Sequence, residues 1–297
     1  SAHLDRWRNA MNIQWYPGHM AKAKRLIQEN LKIIDVVIEL VDARIPMSST
    51  NPMIKSLIGD KPSIVVLNKA DLADPAVLDE WVAYYKQQGR KVLALNSKGG
   101  KGVKQLISLV RSLAAPKLAR WKARGLKNRA VRTMILGIPN VGKSTLINKL
   151  SRRSAAKTAD KPGETKGKQW VHIGDQLDLL DTPGVLWPKL ENQVSAYRLA
   201  ATGAISDTVF DMETVLLQLV EQLSAQYPDE LKGRYKLDSL CEKPLDTIEA
   251  IGRKRGCIVS GGVVDLEKTY KLILKEFREG KIGAISLDRL GDFEGED

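Results

Sequence analysis

The octet Gly137-Ile-Pro-Asn-Val-Gly-Lys-Ser144 constrains this chain more than any other feature. It is a glycine, four free positions, then Gly-Lys-Ser. It follows the apolar run VRTMIL and opens the helix-like stretch KSTLINKL, so it reads as a loop joining a strand to a helix. Such a loop turns backbone N–H groups inward, and the helix N-terminus behind it adds positive partial charge. The ligand that fits is a chain of phosphates. Lys143 is placed to reach the β- and γ-phosphates and Ser144 to ligate Mg²⁺, with Asn140, Val141, Gly142 and Thr145 completing the cradle. A strand and helix joined in this way need a sheet around them.

That sheet is visible. Apolar, β-branched runs occur at 33–43, 63–69, 91–97, 131–137, 168–174 and 177–181, and stretches of helical periodicity lie between most of them. The alternation predicts an α/β domain, a mostly parallel sheet with helices on both faces. Ligands of such sheets bind at the carboxyl ends of the strands, and the remaining motifs sit there. Asp181-Thr-Pro-Gly184 ends the last run, 38 residues beyond Lys143. Asp181 is expected to hold Mg²⁺ through water, and the Gly184 N–H to meet the γ-phosphate. Thr165, in Pro162-Gly-Glu-Thr165, lies between these motifs and is expected to complete the metal shell when a nucleoside triphosphate is bound.

Asn68-Lys-Ala-Asp71 closes the second run. Asp71 can accept from the N1–H and the 2-amino group of guanine. Adenine lacks that pair of donors and would leave the carboxylate unpaired. Asn68, Lys69 and Ala70 frame the same base, with Lys69 along its plane. Asn96 and Ser97 follow the third run and fit a companion loop that touches the base oxygen.

The order of these motifs is unusual. In ordinary GTPases the phosphate loop, the switch threonine and DxxG precede NKxD; here NKxD at 68–71 and NSK at 96–98 come first. The domain is therefore read as a circularly permuted P-loop GTPase fold, which a sheet tolerates because the connections cut and joined lie on its surface. The chain leaving DTPG runs straight into the C-terminal part, so switch movement is expected to reach it.

Beyond Pro188 helical patterns dominate. Leu266, Tyr270, Ile273, Leu274 and Phe277 share one helical face with Asp265 as its N-cap, and 256–264 reads as a loop. The expected organisation is a leader or a non-native remnant at 1–10, the GTPase domain at 11–188 and a smaller all-helical domain at 189–297. Residues 116–132 read as a basic connector.

Charge divides along the same line. Residues 1–188 carry 32 Lys and Arg against 15 Asp and Glu, whereas 189–297 carry 15 against 20. Between Trp81 and Ala159 there are 19 Lys or Arg and no acid. Soluble surfaces mix both signs, so this stretch points to a polyanionic partner such as nucleic acid. Cys241 and Cys257 make neither a disulfide framework nor a metal set. No run approaches the length of a membrane span, and no export signal opens the chain, which favours a cytoplasmic protein.

Three features carry a family resemblance: the permuted order, Asp42-Ala-Arg-Ile-Pro46 ahead of NKAD, and QWYPGHMAKA at 14–23. Together they resemble the YlqF-type ribosome biogenesis GTPase A family over nearly the whole chain from Met11. The resemblance implies a cytoplasmic GTPase using GTP, Mg²⁺ and K⁺. It implies binding to the large (50S) ribosomal subunit late in its assembly, with activity stimulated by the subunit. The implied partners are ribosomal RNA, contacted by the helical domain, and ribosomal proteins. No membrane is expected, and off the ribosome a monomer is. A GTP-gated RNA scaffold with little turnover is the alternative, as is a permuted GTPase serving another RNA–protein particle.

The residue after DTPG is Val185, where Ras-type GTPases carry the glutamine that orients the attacking water. The resemblance supplies two substitutes. His19 is assigned a role in hydrolysis, chemically reasonable because imidazole can position water near neutral pH. Asn140 is implied to help hold K⁺ beside the phosphates, where positive charge otherwise comes from an arginine. His19, Lys143 and Thr165 are thus the expected catalytic group; Ser144, Thr165, Asp181 and Asn140 are the expected metal ligands. Arg44 is equally open as a strand-end ion pair or an RNA contact. Arg253-Lys-Arg255 is likewise open between a phosphate-contacting cluster and a solvated charge run.

Overall fold

Strand β1 (Val36–Asp42) is buried along its whole length, as a strand with neighbours on both sides and helices on both faces must be. In this computed structural model, which describes residues 17–96, 102–127, 129–154, 170–182 and 193–294, it lies inside a six-stranded sheet. The other strands are β2 (Ser63–Asn68), β3 (Lys91–Leu95), β4 (Val131–Gly137), β5 (Trp170–Ile173) and β6 (Leu177–Asp181), in the order β3-β2-β1-β4-β6-β5. Five strands are parallel, and β5 pairs antiparallel with β6 through a short turn at 174–176. Each expected run forms a strand, trimmed at most by a few residues.

The registers place the motifs along one edge. Asp42 pairs with Asn68, Asn68 with Leu95, Leu40 with Gly137 and Ile135 with Asp181. Five parallel strands therefore end together, and every described motif begins where its strand stops. Helices α1 (Pro17–Leu31), α2 (Pro52–Ile58), α3 (Pro75–Gln87), α4 (Val103–Ala123) and α5 (Lys143–Ser154) cover the sheet. Ile27, Leu31, Ile34, Ile54 and Ile58 pack with Val37, Met134, Leu136 and Leu180 in one cluster. Each such buried side chain contributes about 1.5–3 kcal/mol.

Helix α4 corrects the reading of 116–132 as a connector. It passes through Pro116 and ends only at Ala123. Anchors beyond the proline offset the missing hydrogen bond. Lys117 and Arg129 both bind the buried Asp35 carboxylate, and the Arg129 guanidinium lies 3.7 Å from the Trp121 ring centroid. Burial alone would raise the Asp35 pKa. Lys117, the Arg132 N–H and Arg129 outweigh it and hold the group below the usual carboxylate value.

A second unit is helical: α6 (Gln193–Thr202), α7 (Met212–Gln226), α8 (Pro228–Tyr235), α9 (Pro244–Lys254) and α10 (Leu266–Arg278). Its strand content among the described residues is one isolated bridge, Ile258 with Val264, inside the loop expected at 256–264. Asp265 caps α10 by accepting from the Lys268 N–H at 3.1 Å, a bond of about 1 kcal/mol. Tyr270, Ile273, Leu274 and Phe277 are buried on its inner face, as the spacing predicts. Contacts group Trp15–Asp71 with Ala76–Pro188, and group Lys189–Asp297 with the four residues Leu72–Pro75. No helix among the described residues is long and apolar enough to cross a membrane.

Candidate nucleotide site

The phosphate loop is shaped by steric need at Gly137. A Cβ there would lie 2.9 Å from Val141 Cγ1 and 3.0 Å from the Leu40 carbonyl oxygen, so no other residue fits without moving β1 or the loop. The loop then turns through two left-handed residues, Asn140 at φ 59° and Gly142 at φ 102°. The turn delivers Lys143 as the first residue of α5, where the early N–H groups of a helix have no intrahelical partner. Ser144 and Thr145 follow, both exposed at that helix start. This is a geometry that accepts phosphate.

Lys143 and Asp181 face each other. The Lys143 ammonium lies 3.2 Å from Asp181 Oδ1, with the lysine largely buried and the carboxylate partly exposed. Burial lowers the Lys143 pKa and the Asp181 charge opposes the shift. Thr182, next in the chain, is fixed by donating to the Ile135 carbonyl at 2.6 Å. The end of β6 is thereby tied to β4, next to the loop that β4 feeds.

Asn68-Lys-Ala-Asp71 is tied to the phosphate loop directly. Asn68, fully buried, donates through Nδ2 to the Val141 carbonyl at 2.9 Å, and Lys69 donates through Nζ to the Asn140 carbonyl at 3.1 Å. Lys69 reaches there from a left-handed backbone, φ 57°. Residues more than seventy positions apart thus form one site. Asp71 is exposed, within the short 3₁₀ turn Ala70–Leu72, and Asn96 directly follows β3.

Arg44 resolves as a strand-end ion pair. It is 2% exposed and binds Asp42 through Nε at 3.0 Å, Nη2 at 2.7 Å and its own N–H at 2.9 Å. Burial would raise the Asp42 pKa, but the Arg44 charge and hydrogen bonds, with Lys69 3.9 Å away, hold it below the ordinary value. The spacing of DARIP gave no sign that the pair closes on itself within two residues. His172 is exposed on β5 and binds Asp178 across the hairpin at 2.6 Å, which fits a structural cross-strand pair. Of Arg253-Lys-Arg255, Arg255 is engaged with Glu276 and lies over the Tyr235 ring.

The structure brings together Asn68, Lys69, Asn140, Val141, Gly142, Lys143 and Asp181 at one edge, with Ala70, Asp71, Asn96, Ser144 and Thr145 on the same strand ends and helix start. His19 lies in α1, but its side chain lies outside the described residues, as do Ser97, Thr165 and Gly184. The leader at 1–10 and the exit from DTPG to residue 192 also lie outside them. The site fits a nucleotide triphosphate with magnesium. The Lys143 ammonium and the Asp181 carboxylate face each other beside the helix start that follows the loop. Among the described residues no cluster of three His, Cys, Asp or Glu could hold a metal. The oxygen donors at hand, Ser144 and Asp181, are of the kind Mg²⁺ takes beside water and phosphate.

The sequence model of the family described as "50S ribosome-binding GTPase" matches residues 132–243, which begins at the phosphate-loop strand and leaves NKAD outside, as the permuted order requires. The protein named ribosome biogenesis GTPase A of Priestia megaterium is 52% identical over 94% of this chain and 97% of its own length. The protein of the same name from Thermotoga maritima is 32% identical over 94% of this chain and 95% of its own. Mitochondrial ribosome-associated GTPase 1 of Mus musculus is 32% identical over 95% of this chain and 94% of its own. A solved structure titled as GNP-bound YlqF from T. maritima matches with a TM-score of 0.67 and 28% identity, covering 90% of this chain and 98% of that one.

Proposed function

Since the chain belongs to the ribosome biogenesis GTPase A family and is a permuted P-loop GTPase, we propose that it binds the large ribosomal subunit late in assembly and hydrolyses GTP there. The single observation that carries this beyond the family name is the acid-free stretch between Trp81 and Ala159. It runs through α4 and β4 into the nucleotide loop itself, so the loop and the basic stretch belong to one fold. Ribosomal RNA is the polyanion that fits, and ribosomal proteins are the other implied contacts. The working place is the cytoplasm, the protein being a monomer off the ribosome.

In this reading Asn68, Lys69 and Asp71 select guanine, with Ala70, Asn96 and Ser97 around the base. Lys143 leaves Asp181 for the β- and γ-phosphates, because it is already largely buried and only its partner changes. Val141, Gly142 and Thr145 supply backbone and helix-start N–H groups to the phosphates, and Gly184 adds its N–H at the γ-phosphate. Ser144, Thr165 and Asp181 hold Mg²⁺, which when bound neutralises charge on the phosphoryl oxygens. Asn140, exposed at the crown of the loop, is the residue that would hold K⁺. His19 positions the attacking water, since Val185 cannot.

Co-sedimentation with purified subunits tests the proposal, with GDP or a non-hydrolysable GTP analogue at two salt concentrations. The expected result is binding to the large subunit that needs the GTP form and weakens steeply with salt. Equal binding with both nucleotides, or binding only to the small subunit, would refute it.

A further inference from the structure

The four residues after the base-reading motif are held by the helical unit. The Leu72 carbonyl accepts from the Ile285 N–H at 3.0 Å. The Leu72 side chain packs on Gly280, where a Cβ would lie 2.7 Å from Leu72 Cδ2 and would make the leucine tip shift. The Asp74 N–H donates to Ser286 Oγ at 3.1 Å, and Asp74 Oδ2 accepts from the Tyr227 hydroxyl at 2.8 Å. Tyr227 is itself fixed, because its oxygen accepts from the Ser286 N–H at 3.2 Å and from Arg289 at 2.7 Å. Burial pushes its pKa up to about 12, so the hydroxyl keeps the proton it donates. Tyr227 and Ser286 are both buried. None of this is needed to build the sheet or the phosphate loop.

Asp71 sits one peptide bond before this grip and inside the same 3₁₀ turn as Leu72. On its other side Asn68 and Lys69 are tied to the phosphate loop. The carboxylate is therefore spanned by two anchors only a few residues apart, which leaves little slack for it to shift. We infer that Tyr227, acting through Asp74, is a positioning residue for Asp71 and sets the affinity for the guanine base. The inference rests on the reading of Asp71 as the guanine acceptor. Its consequence is reciprocal: guanine binding and the grip on Leu72–Pro75 share one coupling free energy, so a partner that loosens the grip weakens nucleotide binding by the same factor.

Titration calorimetry on the full chain with GDP and with inosine diphosphate, which lacks the 2-amino group, tests this. Tyr227→Phe is expected to raise the GDP Kd about threefold to tenfold, the range for one lost hydrogen bond. The inosine nucleotide suffers less, so the preference for GDP narrows. Asp74→Asn keeps an oxygen to accept from Tyr227 and is expected to retain the preference, whereas Asp74→Ala loses it. A merely structural Tyr227 would lower the melting temperature and leave the preference intact, which overturns the inference. Asp71→Asn separates the premise: if it keeps the GDP preference, the guanine reading itself fails. If Asp71→Asn abolishes the preference and Tyr227→Phe leaves it intact, only the positioning role fails. Should Tyr227→Phe not fold, hydrogen exchange on the wild-type chain decides. GDP is expected to slow exchange of the Ile285 and Ser286 amides, and unchanged rates overturn the inference.

Discussion

Removing Arg44 tests the physics at the sheet edge. In Arg44→Ala the Asp42 carboxylate loses the bonds from Nε at 3.0 Å and Nη2 at 2.7 Å. It keeps the bond from the backbone N–H of residue 44 and the more distant Lys69 charge. Asp42 is buried in the wild type, so only water entering the void left by the arginine can replace part of what is lost. Breaking a buried pair from one side costs about 3–5 kcal/mol. The two interactions that survive place this case near the lower end, about 3 kcal/mol, a large share of the roughly 5–15 kcal/mol that stabilises an ordinary domain. The sign with pH follows from Asp42. Its folded pKa lies below 3.8, so in the wild type its contribution is present above that value and is lost as pH falls through the folded pKa. Without Arg44, burial raises the folded pKa instead, and the carboxyl is protonated earlier on acidification. The stability gap between wild type and Arg44→Ala therefore closes as pH falls. Guanidinium unfolding followed by far-UV circular dichroism at neutral and acidic pH measures it. A companion Asp42→Leu/Arg44→Met, with no charge left to strand, is expected to recover most of the loss. If Arg44→Ala unfolds within about 1 kcal/mol of wild type at neutral pH, the buried pair is not what holds this edge.

Gly137→Ala is expected to fold and to bind GTP about tenfold to a hundredfold more weakly, because overpacking against Val141 and Leu40 costs about 1–3 kcal/mol and falls on the loop; calorimetry checks it. Asp35→Asn is expected to destabilise at neutral pH and to converge with wild type on acidification, since the depressed Asp35 pKa makes its contribution vanish as pH falls through it; thermal melts across pH show this. His19→Ala is expected to bind GTP normally and to lose subunit-stimulated hydrolysis, measured by phosphate release; an equal stimulated rate excludes the role. Replacing K⁺ by Na⁺ is expected to slow hydrolysis in the wild type, and Asn140→Ala to remove that difference.

The phosphate loop and the strand ends were legible because they are local: a glycine pattern and a strand–turn–helix alternation occupy a dozen residues. The convergence of NKAD and the phosphate loop could be expected only through the permuted order, and the structure supplies the bonds from Asn68 and Lys69. Other features left no local signal. Arg44 was ambiguous because DARIP does not say which way the guanidinium turns. Helix α2 escaped notice because seven residues carry too little periodicity. The run of α4 through Pro116 depends on Asp35, 82 residues away from Lys117, and the grip on Leu72–Pro75 depends on residues from 227 to 289, also remote in sequence.

The strand order splits cleanly by time of synthesis. β3, β2 and β1 are made first and form one contiguous half of the sheet; β4, β6 and β5 form the other. A nascent chain can therefore finish the base-reading half while the phosphate-binding half is still unmade. During that interval the outer edge of β1, later covered by β4, is a row of unpaired backbone groups on a strand whose sequence, VVIELVD, is mostly apolar. A GTPase of the ordinary motif order makes its phosphate loop before its base reader. In this chain the nucleotide cannot template folding until the last half-sheet docks, and the cell must protect a sticky edge in the meantime.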